Sequence, residues 1–344
     1  FEIFFNENVA RSPMMQTHLG IKTDYGKWDD ISETAAQQRQ ALRRSQLQRL
    51  LVLDPSQMNA ATALSYHLQK QQLEQGIEGY RWRYHNYPVN QMSGFHSAVP
   101  SLLINQHQVS NEADAIAYIQ RLKGIPELFS QLIDGLKIRA DKGVIAPSFI
   151  FPYVLRDSRN LITGAPFDQG KDSTLYADIK RKIKALDLPA NKKSRYIQRA
   201  EIVLMTQVKP AYERFIDYVE TLEKQSQVRV GAWTFPQGED YYQHALTRTT
   251  TTQMSAEEIH QVGLDEVARI HAEIQGLMKQ VNFEGDRQAF FTFMREDPRF
   301  YYPDTEAGKA AYLADATAII DTMKGRLDEL FISQPQADLV VQRV

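Results

Sequence analysis

Histidine is the side chain best suited to acid–base or metal chemistry near neutral pH, and its spacing here decides what it can do. The histidines are His18, His67, His85, His96, His107, His244, His260 and His271. None opens an H-E-x-x-H run and no two stand at i, i+4, so the two-histidine grip of a helical zinc site is missing from the sequence. His260 and His271 share a helix face with Leu264 and Val267, but eleven helical residues put them about 16 Å apart, too far to share one ion. They read as residues of a helix–helix seam. Cysteine is absent, which excludes disulfides, thiolate ligands and a thiol nucleophile. No glycine-rich phosphate loop and no G-x-S-x-G elbow occurs. The acidic pairs Glu257-Glu258 and Asp265-Glu266 read as solvated helix faces rather than paired catalytic carboxylates.

Two segments are richer than ordinary surface. In the first, Tyr80, Trp82 and Tyr84 alternate with Arg81, Arg83 and His85, and Tyr87-Pro88-Val89-Asn90-Gln91 and Gly94-Phe95-His96 follow. Arg interleaved with aromatics can stack on bases, yet a structural segment leading into a cleft-lining turn fits the balanced charge better. The second, Gly231 to Tyr242, is an aromatic turn punctuated by Pro236 and Gly238. It either packs its rings into the core or presents tyrosine hydroxyls and backbone groups to a ligand; the residues leave both readings open.

The elements that must position these segments are helical. Good helix formers run from Ile31 to Leu53, and Asp54-Pro55 supplies a cap and an N1 proline for a second helix to about Gly76, predicting an αα-hairpin. Asn111 to Leu122 predicts a helix closed by Gly124, with Pro126 opening the next. Between Pro189 and Gln225, Ile197, Ala200, Leu204, Val208, Phe215, Val219 and Leu222 form one apolar stripe, and Pro210 predicts a kink or break within it. Ser255 and Glu258 have capping-box spacing, and Ile259, Val262, Val267, Ile270, Ile274 and Leu277 give that helix an apolar side. Further helices are expected from Asp286 and from Asp304 to about Leu330. Period-two alternation predicts short strands at Tyr80–Tyr84, at Val228, Val230 and Ala232, and at Leu339–Val341. The last is expected to pair with further polypeptide. The fold class is thus mainly α, a multi-helix array with a few short β-strands. The chain reads as one helical domain over 1–344, incomplete, with a possible subdivision at 1–187 and 188–344.

Composition narrows the function classes. The 344 residues contain 40 Lys plus Arg against 42 Asp plus Glu, a formal net charge of −2, which argues against a general nucleic-acid binder. With 43% hydrophobic and 24% charged residues the chain can bury a core. No apolar run approaches the roughly 20 residues that span a bilayer. The sequence opens at Phe1 rather than Met, compatible with a removed signal or lipid-anchor segment.

The opening Arg11-Ser-Pro-Met-Met-Gln-Thr-His-Leu-Gly20 and the block Gly231 to Tyr242, Leu246 to Thr252 and Ser255 to Gly263 resemble a bacterial family known as domain of unknown function 885, with Tyr87 to Gln91 also compatible. The resemblance runs from Ser12 to Val344. It implies a fold similar to the N-terminal part of a helical, gluzincin-like zinc metallopeptidase, and an exported lipoprotein of the periplasm or cell envelope. The family's zinc motif, close to H-E-x-x-G-H-H, belongs to a C-terminal part, so no metal ligand carries over to a residue here. The implied cofactor is none in this chain and zinc in the C-terminal portion. On this reading the chain is a hydrolase fragment, inactive by itself, that forms one wall of a peptide cleft. Tyr241, Tyr242 and His244 are the foremost candidates for that wall, with Asn90 and Gln91 next. The expected partners are a peptide substrate and the protein's own C-terminal portion, with no nucleic acid. The alternative is a non-catalytic helical binding protein of the cell envelope.

Overall fold

The structure is a computed structural model that describes residues 1–228 and 231–341. Its helices, in chain order, are α1 (Glu2–Val9), α2 (Pro13–His18), α3 (Glu33–Leu51), α4 (Ala60–Glu78), α5 (Phe95–Ser101), α6 (Glu112–Asp141) and α7 (Phe151–Leu161). They continue with α8 (Thr174–Ala185), α9 (Ala190–Val203), α10 (Lys209–Gln225), α11 (Gly238–Thr250), α12 (Ala256–Gln280), α13 (Arg287–Glu296) and α14 (Glu306–Lys324). The chain divides into two compact units, Phe1–Met254 and Ser255–Val344.

In the first unit the core forms around α6, where Ile119, Leu122, Ile125, Leu128, Phe129 and Leu132 are buried and which packs against α8, α9 and α10. The stripe expected of residues 189–225 is the partner surface: Ala200, Leu204, Val208, Phe215, Val219 and Leu222 are all buried, and Ile197 is partly so. The break expected at Pro210 is there. Residues Leu204–Val208 form a π-turn, and α10 restarts with Pro210 in its first turn, where a missing N–H leaves no helical bond unmade.

The predicted hairpin is α3 and α4, joined by a 3-10 turn at Pro55–Gln57 that Asp54 caps. Its small core of Leu50, Tyr66 and Leu73 is extended by Phe4 of α1. A buried polar hub fastens the N-terminal segment to α6. The Arg121 guanidinium, fully buried, donates to the carbonyls of Lys27 and Pro13, to Thr17 Oγ1 at 2.5 Å and to His107 Nδ1 at 3.2 Å. Burial, opposed only weakly by Tyr25 and Asp29, lowers this arginine to about 10. His107, stacked on Tyr25, donates from Nε2 to the Asp114 carbonyl, and burial pulls it down to about 3.

Two expectations need correction. Gly124 and Pro126 do not divide a pair of helices: α6 runs through both, because tertiary packing of its buried face outweighs the local cost of proline. Gly124 serves contact instead, since a Cβ there would lie 2.9 Å from Trp28 Cδ1. The expected strands are also absent among the described residues, which hold only two isolated bridges, Val89 with Gly94 and Ala165 with Asp172. Residues Gly79–Trp82 are a 3-10 turn continuing α4. There the alternation places cations over rings, with Arg83 Cζ 4.1 Å from the Tyr80 ring centroid and 4.6 Å from that of Tyr84. Leu339–Val341 has no regular structure, Ala232 opens a 3-10 turn, and Val230 lies outside the described residues.

In the second unit α12 begins with the full capping box, Ser255 accepting from the Glu258 N–H while the Glu258 carboxylate accepts from the Ser255 N–H at 2.8 Å. Phe283, Phe290, Phe293 and Phe300 gather at 5.1–6.2 Å between ring centroids and hold α13 against the end of α12. The apolar side of α12 stays open, with Val262, Val267, Ile270 and Leu277 at 43–53% exposure. On this helix His260 is exposed and His271 half-buried.

Candidate functional site

The two aromatic segments singled out by sequence meet. Tight glycines wind the second one into place: Gly231 has φ +128°, and a Cβ on Gly238 would fall 2.0 Å from the Ala232 carbonyl oxygen. That fold-back presents the Pro236 carbonyl to His85 Nε2, which donates to it at 3.0 Å. Tyr241, on the first turn of α11, then lies 5.0 Å from the His85 ring and 5.7 Å from Trp82, and Phe235 lies edge-on to Tyr87 at 5.7 Å. Burial raises the Tyr241 hydroxyl above its ordinary value, with Arg248 opposing. One turn further along α11, His244 packs 6.3 Å from Trp82 and holds Nδ1 3.7 Å from Glu78 of α4.

Beside this cluster is a recess of about 410 Å³ whose walls include Trp82, Asn86, Tyr241, His244 and Arg248. Three buried polar atoms around it have no hydrogen-bond partner: Trp82 Nε1, His85 Nδ1 and His244 Nε2. Buried groups of this kind are ordinarily satisfied, and each left unmet costs about 1–3 kcal/mol. The cationic side of the recess is fixed from behind. Glu33 accepts from Arg83 at 3.0 Å and from the Tyr80 and Tyr84 hydroxyls. Burial raises this carboxyl, but hydrogen bonds from Arg83, Tyr84 and Gln37 outweigh it and hold Glu33 at about 2. Arg139 in turn binds the Asn86 carboxamide oxygen at 2.7 Å.

Of the five residues favoured by sequence, Tyr241 and His244 line the recess and the others do not. Tyr242 points its 48% exposed side chain elsewhere on α11. Asn90 is spent on its own turn, its Oδ1 accepting from the Met92 and Ser93 amides at 2.9 and 2.8 Å. Gln91 is exposed at the tip of that turn. Sequence reasoning missed Trp82, Asn86 and Arg248 as lining residues, although the Arg–aromatic alternation had marked the stretch containing the first two. A larger recess lies in the second unit, about 870 Å³ walled by Tyr301, Tyr302 and Tyr312. There Tyr302 donates to Asp315 at 2.5 Å and Tyr301 to the Arg295 carbonyl, and none of the buried unpartnered atoms among the described residues belongs to its lining. Among the described residues no group of three or more His, Asp or Glu is placed to hold a metal ion.

A helical scaffold around a buried central helix, with a lateral aromatic recess beside unpartnered hydrogen-bonding groups, makes this a mainly α protein. The chain belongs to the family of bacterial proteins of unknown function DUF885, whose profile matches residues 13–344. Its fold is similar to that of a "putative lipoprotein" from Colwellia psychrerythraea, with a TM-score of 0.78 and 21% identity over 96% of this chain. A second likeness is to a "putative lipoprotein of unknown function" from Shewanella oneidensis, with a TM-score of 0.61 and 12% identity over 97% of this chain. The chain spans 58% of the length of each of these two proteins. No curated protein matches the sequence.

Proposed function

We propose that this chain forms one wall of a peptide-binding cleft in a cell-envelope lipoprotein akin to the helical zinc peptidases, with zinc held by polypeptide outside residues 1–344. The observation that carries the reading is a set of unpartnered buried atoms: Trp82 Nε1 and His244 Nε2 on residues lining the recess, and His85 Nδ1 in the adjoining aromatic cluster. A peptide backbone offers donors and acceptors in alternation, which matches an indole donor beside imidazole nitrogens. Tyr241 and Phe235 supply apolar area for side chains, and Arg248 at the rim suits a terminal carboxylate.

Both solved likenesses are described as lipoproteins, which supports an envelope location, and no helix among the described residues is long and apolar enough to cross a membrane. Among the described residues no group is placed as a zinc donor set; on the proposed reading this chain's part is to bind and orient substrate. The same recess also serves a non-catalytic binding protein of the envelope, the second reading. The test measures bound zinc and chelator-sensitive cleavage of short peptides by the complete protein, together with peptide affinity of this chain. Binding with zinc and cleavage supports the peptidase reading, and binding without either supports the second. Failure of peptides to bind removes both.

A further inference from the structure

A second recess, of about 590 Å³, lies on the other side of the α3–α4 hairpin, between it and the segment that joins α1 to α2. Arg11, Arg39 and Arg43 line it, together with Gln46, Asp29 and Asp30. Arg39 and Arg43 stand at i, i+4 on α3, the spacing at which like charges repel. Such a pair is ordinarily relieved by ion pairs with carboxylates, but here Asp29 and Asp30, though they line the same recess, form no ion pair with either arginine and turn their oxygens to other donors. Asp29 accepts from the Ser12 hydroxyl at 2.7 Å and the Met14 amide at 2.8 Å, and Asp30 accepts from the Ser32 amide. Arg39 reaches only a backbone carbonyl, that of Asp30. Arg43 has no hydrogen-bond or ion-pair partner among the described residues, while burial and the neighbouring Arg39 both disfavour its charge.

Two further observations mark the place as a built site. Gln46 is fully buried and lines the recess, and its Oε1 has no partner, since its Nε2 is committed to Glu7 and the Phe4 carbonyl. Gly76 of α4 makes room for the arginine: a Cβ there would lie 3.2 Å from both Cδ and Nε of Arg43. A glycine inside a helix is locally unfavourable, and here its bareness lets the Arg43 side chain lie along α4.

We propose that this recess binds an oxyanion, a carboxylate or phosphate group, clamped by Arg43 and Arg39 with Arg11 at its edge, on a ligand that also offers a hydrogen-bond donor to Gln46 Oε1. Guanidinium forks match both groups with paired charge-assisted bonds. Binding relieves the repulsion along α3 and satisfies the one buried acceptor in the same event.

The experiment titrates this chain with inorganic phosphate and, separately, with acetate, at constant ionic strength, by calorimetry and by the thermal midpoint. At least one anion is expected to bind and raise the midpoint, and which one does so distinguishes phosphate from carboxylate ligands. Arg43→Gln is expected to weaken that binding at least tenfold while leaving the ligand-free protein as stable as before or more so, because an uncompensated charge has gone. Gly76→Ala keeps every charge but crowds Arg43, and is expected to weaken binding several-fold. Arg44→Gln, a neighbouring arginine outside the recess, is the control and should bind unchanged. Binding by neither anion, or equal loss in Arg43→Gln and Arg44→Gln, overturns the proposal.

Discussion

Trp82→Phe separates a ligand-binding role from a packing role. Trp82 is 5% exposed, so its replacement by the smaller ring removes apolar contact, a loss of about 1–2 kcal/mol including the void left behind. The same change deletes Nε1, a buried donor with no acceptor, and so removes a penalty of about 1–3 kcal/mol. The two effects oppose each other, and the folded protein is expected to stay within about 1 kcal/mol of the parent. Arg81 over the ring at 4.3 Å and His85 edge-on at 4.8 Å can keep their contacts with phenylalanine. Peptide binding has no such compensation. Losing one hydrogen bond of about 1 kcal/mol weakens the dissociation constant about fivefold. Urea denaturation followed by circular dichroism gives the first quantity, and calorimetric titration with an acetylated, amidated alanine tetrapeptide gives the second. Destabilisation of about 3 kcal/mol with unaltered peptide affinity would show that Trp82 is a packing residue and that the recess is not the binding wall.

Other outcomes follow from the same contacts. Tyr242→Phe should leave unfolding free energy within about 0.5 kcal/mol, since the side chain is half exposed, and should leave peptide affinity unchanged, since Tyr242 does not line the recess; paired denaturation and calorimetric measurements check both. Arg121→Met strands two carbonyls, a threonine hydroxyl and the His107 nitrogen, and should destabilise by about 3–5 kcal/mol in urea titration. The folded state keeps His107 neutral down to about pH 3, whereas the unfolded chain protonates it near 6.5. Stability should therefore fall as pH drops below 6.5, by about 1.4 kcal/mol per unit from this group, and His107→Asn should flatten that slope between pH 6.5 and 5. Ser255→Ala removes the cap of α12 and should cost about 1 kcal/mol, read as faster amide exchange in the first turn of that helix.

The features legible in sequence were those with local causes. The Ser255–Glu258 box and the 189–225 stripe each specify geometry through neighbours a few residues away, and each appears in the structure; Asp54-Pro55 acts locally too, but it caps a 3-10 turn, and Asn59 rather than Asp54 caps α4. Gly124 and Pro126 misled because their local preference is outweighed by the buried face of α6, which only long-range packing defines. The strand at Tyr80–Tyr84 failed for a related reason: period two arose from cation–ring stacking on a 3-10 turn, not from a pleat. At the site, both aromatic segments were visible as unusual composition, and Tyr241 and His244 both line the recess. Asn90 and Gln91 shared the composition but fold into a self-contained turn. Arg248 gave no local signal, because its relevance depends on which face of α11 meets Trp82.

The Arg121 hub ties the first residues of the family match to the core. The match begins at residue 13, and the Pro13 carbonyl is the earliest point in the chain that this guanidinium grips. Shortening the protein to begin at α3 would discard Thr17 and Lys27 as well, leaving a cation sealed within the core and no oxygen from that segment to receive it. Residues 13–31, mostly outside regular helix, are therefore as much a part of the folding unit as α6 itself. Any trimmed version meant for crystallisation or display must keep them.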